Sequence, residues 1–350
     1  MRRLAGILLV AVGVAALTFG IAGRWFIYPA LAQAPAGFPT KADRDRNSTP
    51  PAGTMVSEGR GVKVFVARKV GETSEIGPRT LTVTSARITR GLPEAARGET
   101  IYWESSVETG STDLTGTPMF QTTVDGICFD RVSGAAAKGC AKPNYTRPEP
   151  DGGKTFEPTG QIYKFPFDTQ KTSYPFWDGR AGEAVPALYN RQEVIDGLTV
   201  YTFVQTIPDR VIGTQDLPGS LFGSPDATVT ADQHYANVRT LWVEPQTGVI
   251  IRGQEELTMQ FVFGAAEPVP ALVGTIGYTD ATVKANVAAQ RDNARSLRLI
   301  HSILPPVGIA LGLLLTALGL WLGFGARSAS GSSRDPDLAV DLRERTRRNA

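Results

Sequence analysis

Histidine is scarce in this chain of 350 residues, which contains only His234 and His301. A histidine-based catalytic triad or a histidine metal cluster therefore has too few members. The sequence also has no G-x-S-x-G elbow, no H-E-x-x-H zinc motif and no G-x-G-x-x-G dinucleotide motif. These absences predict a protein that is not an enzyme and that holds no cofactor or metal.

An excess of charge of one sign is also absent. The chain carries 36 basic and 34 acidic residues, so its formal net charge is +2. A nucleic-acid-binding protein usually shows a strong basic excess, concentrated on one face or in one segment. The balance predicts that nucleic acid is not a partner.

Cysteine is limited to Cys128 and Cys140, which lie in the middle of the chain. Glycines at 134 and 139 fall between them, a pattern typical of a hairpin closed by a disulfide in an oxidising compartment. The alternative is two independent thiols. A metal site is disfavoured, because two cysteines without nearby histidines supply too few ligands.

Two long uncharged runs lie near the ends of the chain, at Leu4–Gly23 and Ile303–Phe324. Each is long enough, as a helix, to cross a hydrocarbon core of about 30 Å. The predicted organisation is a cytoplasmic N-terminus at 1–3, a transmembrane helix at 4–27, a leader at 28–61, a β-rich extracytoplasmic domain at 62–278, a membrane-proximal helix at 279–302, a second transmembrane helix at 303–325 and a cytoplasmic tail at 326–350.

The orientation follows from the basic residues that flank the two runs. Arg2 and Arg3 precede the first run and several arginines follow the second, and such residues are retained on the cytoplasmic side. We therefore predict a two-pass protein of the cell membrane, with both termini cytoplasmic and the main domain periplasmic. The alternative is a signal peptide cleaved near Ala32-Gln33-Ala34.

The middle of the chain alternates apolar and polar residues with a period of two, as in Val62, Val64 and Val66. Residues 186–195 and 198–207 flank Asp196-Gly197, a dipeptide suited to a tight hairpin turn. Residues 238–243 and 249–263 flank a longer turn that contains glycine. The predicted fold is mainly β, a large antiparallel β sandwich or irregular barrel with few helices, flanked by two transmembrane helices.

One amphipathic helix is predicted after the β region. Thr279 or Asp280 can cap it, and its apolar stripe contains Val283, Val287, Ala294, Leu297 and Ile300. Pro305-Pro306 follows, and we expect a kink or break there at the membrane surface.

The stretch YKFPFDTQKTSYPFWD, residues 163–178, concentrates aromatic side chains beside two prolines. Aromatic rings need burial, so the stretch is either a loop that plugs the core or the wall of an apolar ligand cavity. On the second interpretation the wall contains Phe165, Phe167, Tyr174, Phe176 and Trp177, with Lys164, Lys171 and Arg180 at a polar rim. A second apolar loop, LPGSLF, offers Leu217, Leu221 and Phe222 as a lid or as ordinary packing.

Several segments together resemble an actinobacterial envelope family labelled the porin PorA family, whose mycobacterial members include a polar growth factor. They are MRRLAGILLVAVGVA, YKFPFDTQKTSYPFWD, IDGLTVYTF, DLPGSLFG, NVRTLWVEPQTGVI and the double-proline span. The resemblance covers nearly the whole ectodomain and both spans. It implies a factor that handles an envelope lipid, such as trehalose monomycolate, beside a lipid exporter of the RND type.

The leading hypothesis is a doubly anchored envelope protein that binds an envelope lipid or glycolipid and assists its transport and envelope growth. The second is a structural membrane scaffold that binds proteins and no lipid, and an exported hydrolase is a distant third. A transmembrane β-barrel needs lipid-facing strands, so two spanning helices favour an anchored ectodomain over a pore.

Overall fold

The computed structural model describes residues 2–70, 73–114, 119–148 and 154–324. The chain divides into two compact units, one formed by residues up to Pro29 and from Leu299 onward, the other by Ala30–Arg298. The predicted cytoplasmic tail at 326–350 lies outside the described residues.

Two helices, Arg2–Leu31 and Asp280–Gly323, are long and apolar enough to cross a membrane. The first consists of α1 (Arg2–Ala22), a π-helical turn (Gly23–Ile27) and α2 (Tyr28–Leu31). The second consists of α4 (Asp280–Arg298), a π-helical turn (Leu299–Ile303) and α5 (Leu304–Phe324). The two uncharged runs of the sequence lie in α1 with the start of its π-helical turn and in α5 with the end of the turn before it.

Of the kink or break predicted at Pro305-Pro306, the break does not occur. The two prolines lie in the first turn of α5, directly after the π-helical turn. A proline removes one backbone hydrogen bond and crowds the preceding turn, and a π-helical turn is a known local adjustment within a helix. The helix continues through the prolines as far as Phe324.

The helices α1 and α5 pack against each other, and glycines lie at the contact. A Cβ atom added to Gly13 would lie 2.4 Å from Thr316 Oγ1 and 2.8 Å from the carbonyl oxygen of Gly312. One added to Gly6 would lie 2.8 Å from the carbonyl oxygen of Gly319. Small residues let two membrane helices approach this closely. The glycines therefore define where the two spans meet.

The described part of Ala30–Arg298 forms one antiparallel sheet of twelve strands that curls on itself. The prediction of an antiparallel, mainly β fold is confirmed, in the form of a curled sheet and not of two stacked sheets. In chain order the strands are β1 (Thr54–Val70), β2 (Thr73–Gly91), β3 (Thr100–Gly110), β4 (Met119–Asp130), β5 (Tyr145–Pro148), β6 (Lys154–Thr155), β7 (Tyr174–Asp178), β8 (Glu183–Ile195), β9 (Leu198–Pro218), β10 (Thr228–Val243), β11 (Ile250–Val262) and β12 (Val269–Tyr278).

The spatial order of the strands is β6-β5-β4-β3-β2-β1-β12-β11-β10-β9-β8-β7. Both predicted hairpins are confirmed, β8 with β9 and β10 with β11. Asp196 and Gly197 adopt φ values of 47° and 80°, as a tight hairpin turn with positive φ requires. Strand β1 begins at Thr54, within the segment predicted as a leader, because β2 and β12 pair with it there.

The curl connects β4, near one end of the sheet, with β7 at the other. Three isolated bridges make this connection, Phe129 with Ala136, Ala135 with Gln161, and Gln161 with Phe176. The backbone N–H of Gln161 donates to the carbonyl of Pro175 at 2.8 Å, and the N–H of Trp177 donates to the carbonyl of Gln161 at 2.9 Å. We call this connection, residues 134–136 and 160–162 between β4 and β7, the seam.

Helix α4 packs on the outer face of the sheet. Its start confirms the predicted cap, since Thr279 Oγ1 accepts the backbone N–H of Thr282 at 3.3 Å. Four members of the predicted stripe, Val283, Val287, Ala294 and Leu297, are buried. Several of these residues join Leu198, Val200, Trp242 and Ile251 in one apolar cluster. A short helix, α3 (Lys41–Asp45), precedes the sheet.

The predicted disulfide between Cys128 and Cys140 is present, with 5.9 Å between the two Cα atoms. Beyond β4 the chain turns back, and the N–H of Ala137 donates to the carbonyl of Cys128 at 3.0 Å. The disulfide therefore closes this turn, as the sequence indicated.

Candidate functional site

Alternate side chains of β10 point to the inner face of the curled sheet. Tyr235, Asn237, Leu241 and Val243 on this face are buried. Arg239 belongs to the same series, with 14% of its side chain exposed. The inner face is therefore apolar toward the end of β10 and polar in its middle.

Phe165 lies at the centre of an aromatic cluster on the inner face, and its side chain is fully buried. Its ring stacks on Phe203 with 4.6 Å between centroids and on Phe176 with 5.3 Å. Tyr174 meets it edge-on at 5.5 Å. We call the group the aromatic cluster; it also contains Ala187, Leu241 and Val243, with Tyr189, Tyr201 and Ile250 packed at its margin.

The strand β7 divides the predicted aromatic wall between two faces of the sheet. Tyr174 and Phe176 point inward to Phe165, while Trp177 points to the opposite face and stacks on Phe156 at 5.8 Å. The sequence did not predict this strand, because the two prolines of residues 163–178 suggested an irregular loop. Pro175 is tolerated because β7 is the last strand of the sheet, where one edge lacks a ladder partner.

The predicted polar rim is dispersed. Lys171 is exposed, and its Nζ lies 5.2 Å from the ring centroid of Tyr201 at the margin of the aromatic cluster. Arg180 is exposed on the turn after β7, where its Nη2 donates to Gln121 Oε1 at 3.3 Å. Lys171 is therefore the exposed member of the predicted rim that lies beside the aromatic cluster.

Leu217, Leu221 and Phe222 belong to a separate apolar cluster with Phe261 and Val269. Leu217 pairs with Val229 in β10, whereas Phe203 of the aromatic cluster pairs with Leu241 of the same strand. Twelve residues along β10 correspond to about 40 Å. The structure therefore does not bring the two predicted apolar segments into one site.

Lys164 is buried, with 4% of its surface exposed. Its Nζ donates to the carbonyl of Phe165 at 2.7 Å and lies 4.0 Å from the ring centroid of Phe167. Burial lowers the pKa of Lys164 to about 7, and the nearby carboxylate of Asp130 opposes this shift. This side chain therefore lies beneath the seam and not at a solvent-facing rim.

A buried polar network next to the aromatic cluster was not predicted. Arg239 Nη2 donates to Asp178 Oδ2 at 2.8 Å, its Nη1 donates to Gln205 Oε1 at 2.7 Å, and its Nε donates to Glu255 Oε1 at 2.5 Å. Gln205 Nε2 in turn donates to the carbonyls of Phe176 and Val185. Because its members come from five neighbouring strands, the network connects β7, β8, β9, β10 and β11.

The charges in this network favour the ionised arginine. Burial alone would lower the pKa of Arg239, but the carboxylates of Glu255 and Asp178 raise it above its ordinary value. Tyr235 donates its hydroxyl hydrogen to Asp178 at 2.9 Å, and its pKa is raised by burial and by that carboxylate. The only sequence signal was an arginine at an inward position of β10.

A β-rich domain with a disulfide and two helices long enough to cross a membrane defines a membrane-associated protein. A family model described as Porin PorA matches residues 5–321. Since the match covers nearly the whole chain, the protein belongs to the Porin PorA family, a family of cell-envelope proteins.

Two curated relatives are both named Porin PorA. The one from Corynebacterium amycolatum is 33% identical over 141 residues, covering 31% of this chain and 36% of that protein. The one from Corynebacterium resistens is 24% identical over 239 residues, covering 50% of this chain and 58% of that protein. The chain therefore spans less than two thirds of the length of either relative.

We predict that Arg239→Ala lowers the free energy of unfolding by about 3–5 kcal/mol, because it leaves the buried carboxylate of Asp178 without its cation. Arg191→Ala is the control, since Arg191 and Glu193 form an ion pair at the surface worth about 0–1 kcal/mol. Urea unfolding of both variants in detergent measures the difference. Equal, small losses would show that the network does not support the fold.

A second prediction concerns pH. The unfolded Lys164 amine keeps its proton up to its ordinary pKa of 10.5, whereas the folded one releases it near 7. Between these values the unfolded chain binds more protons, so stability rises with pH, and below about pH 7 the slope disappears. We expect the unfolding free energy of the wild type to rise relative to Lys164→Met by up to about 1.4 kcal/mol per pH unit from pH 7.5 to 9.5.

Unfolding curves recorded across this pH range measure that slope. Lys171→Met is the control, because Lys171 is exposed. If the curves of the wild type and Lys164→Met run parallel, the buried amine does not titrate as described.

Proposed function

We propose that this protein is a non-enzymatic envelope factor whose β domain binds the apolar part of an envelope lipid or glycolipid and assists its transport. Its two apolar helices anchor it in the cell membrane, with both termini cytoplasmic and the β domain outside. In an organism that makes mycolates, the ligand resembles trehalose monomycolate and the partner is a lipid exporter of the RND type. The family is one of cell-envelope proteins, and the proposal adds a lipid ligand and a role in its transport.

The observation that carries the proposal is the aromatic cluster on the inner face of the curled sheet. Three of its rings, Phe165, Phe176 and Phe203, are buried, while Tyr174, Tyr189 and Tyr201 at its margin are partly exposed. Aromatic rings with partly exposed edges offer a large apolar contact surface to an acyl chain. Lys171 beside Tyr201 places a cation where the polar head of such a lipid would lie.

The seam supplies a route to this cluster. Isolated bridges connect β7 to β4, in place of the continuous ladder that joins β9 to β10. Segments with few backbone hydrogen bonds open at lower free energy than central strands. We infer that an acyl chain reaches the inner face when the seam opens.

Pore formation is the competing function, because the two Corynebacterium relatives are named porins. The inner face of the present chain is filled in its middle by the network around Arg239 and at one end by the aromatic cluster. We therefore expect no step conductance when the purified protein is added to a planar bilayer. Reproducible unit conductance would favour the pore.

The test of lipid binding compares Tyr174→Ala, in the aromatic cluster, with Leu188→Ala, an exposed residue of β8 that follows the buried Ala187 and points to the opposite face. Loss of an aromatic contact costs about 0.5–1.5 kcal/mol, so Tyr174→Ala should weaken lipid binding about two- to tenfold. Leu188→Ala should leave it unchanged. Native mass spectrometry of protein purified in mild detergent gives the lipid-to-protein ratio.

Wild-type protein without any bound lipid would contradict the proposal, as would an equal loss in both variants. If lipid is absent and crosslinked protein partners are the same in wild type and Tyr174→Ala, the scaffold hypothesis is favoured. The two results are therefore distinguishable in one set of preparations.

The proposed orientation has its own test. Thr172 lies at an exposed position of the β domain, so a cysteine placed there should react with a membrane-impermeant thiol reagent applied to cells whose outer envelope is made permeable. A cysteine at Ser332, beyond the second span, should stay unlabelled while the cell membrane is intact. Labelling at 332 and not at 172 would reverse the orientation.

A further inference from the structure

A second concave site lies beside the disulfide, apart from the aromatic cluster. It is a cavity of about 370 Å³ formed by the loop at 137–144 together with Cys128, Phe156 and Glu157. Ligand cavities in proteins start at about 300 Å³, so this one is large enough for a small polar molecule or a lipid headgroup.

The loop that forms the cavity is fixed at several points. The disulfide attaches Cys140 to β4, and the N–H of Ala141 donates to the carbonyl of Ala95 at 2.9 Å. Asn144 Oδ1 accepts the N–H of Cys128 at 2.7 Å, and the Tyr102 hydroxyl donates to the carbonyl of Pro143 at 2.8 Å. A loop held in this way needs little ordering when a ligand binds.

The cavity presents hydrogen-bond donors and positive charge. Lys138 and Lys142 both line it. Within the described part of the chain, the backbone N–H groups of Lys138, Gly139 and Lys142 have no acceptor. Lys138 is paired with Glu157 at 2.6 Å, but both side chains are mostly exposed, so the pair is weak and an anion can displace it.

One wall of the cavity is apolar. Phe156 lines it and is supported from behind by Trp177, with 5.8 Å between ring centroids and 28° between ring planes. An aromatic ring and two ammonium groups that line the same cavity fit a ligand that has both an anionic oxygen group and an apolar carbon part. A cluster of N–H and ammonium donors matches the several acceptor oxygens of a phosphate.

We propose that the cavity beside the disulfide binds a phosphate-bearing group, with Lys138, Lys142 and the loop amides as donors and Phe156 against its organic part. The source of the phosphate is either the headgroup of an anionic phospholipid or a soluble phosphate ester. The proposal does not depend on lipid binding at the aromatic cluster, because the two sites share no lining residue.

The test uses the full chain in detergent and glycerol 3-phosphate as the probe, with binding followed by calorimetry. Lys142→Gln removes one exposed donor and should weaken binding about tenfold, since a hydrogen bond to a charged group is lost. Lys142→Arg should largely restore it. Lys284→Gln, an exposed lysine of α4 outside the cavity, is the matched control and should bind like the wild type.

A second arm identifies the source of the phosphate. If binding depends on Lys142 and is stronger to phosphatidylglycerol vesicles than to phosphatidylcholine vesicles, the phosphate belongs to a phospholipid headgroup. If only glycerol 3-phosphate shows Lys142-dependent binding, the phosphate belongs to a soluble ester. No binding of either probe, equal binding by wild type and Lys142→Gln, or equal displacement by an uncharged disaccharide would overturn the proposal. Tyr174→Ala should not change phosphate binding, which separates this test from that of the aromatic cluster.

Discussion

The buried ion pair between Arg239 and Asp178 holds the last strand of the curled sheet against its middle. Asp178 is the last residue of β7, the edge strand. Arg239 lies in β10, which is separated from β7 by β8 and β9. Gln205, which accepts from Arg239, donates to carbonyls of β7 and β8. A buried cation without its carboxylates is costly, so these bonds fix the position of β7. Phe176 and the seam depend on that position.

The two units are stabilised by different kinds of packing. In the sheet, the inner face is buried by curling, and polar groups that point inward are paired with one another. In the membrane unit, apolar side chains gain little by meeting one another, since lipid is equally apolar. Close contact at Gly6 and Gly13 supplies the packing instead.

Features set by local sequence could be predicted, and features set by long-range pairing could not. The Asp196-Gly197 turn, the Thr279 cap and the disulfide depend on residues close together in the chain. The pairing of Arg239 with Asp178 joins distant segments, and only the strand register shows it. The same register separates Leu217 from Phe165. The edge position of β7 explains why Pro175 did not prevent a strand.

We propose that the seam opens more readily than the rest of the sheet and that its opening gives access to the inner face. Native-state hydrogen exchange measured by mass spectrometry tests it directly. We predict that amides of the seam, such as those of Ala136, Gln161 and Ile162, exchange well before those of the β9–β10–β11 ladder, and that bound lipid slows the seam amides selectively. Equal protection of seam and ladder, with no change on lipid addition, would contradict the proposed opening of the seam.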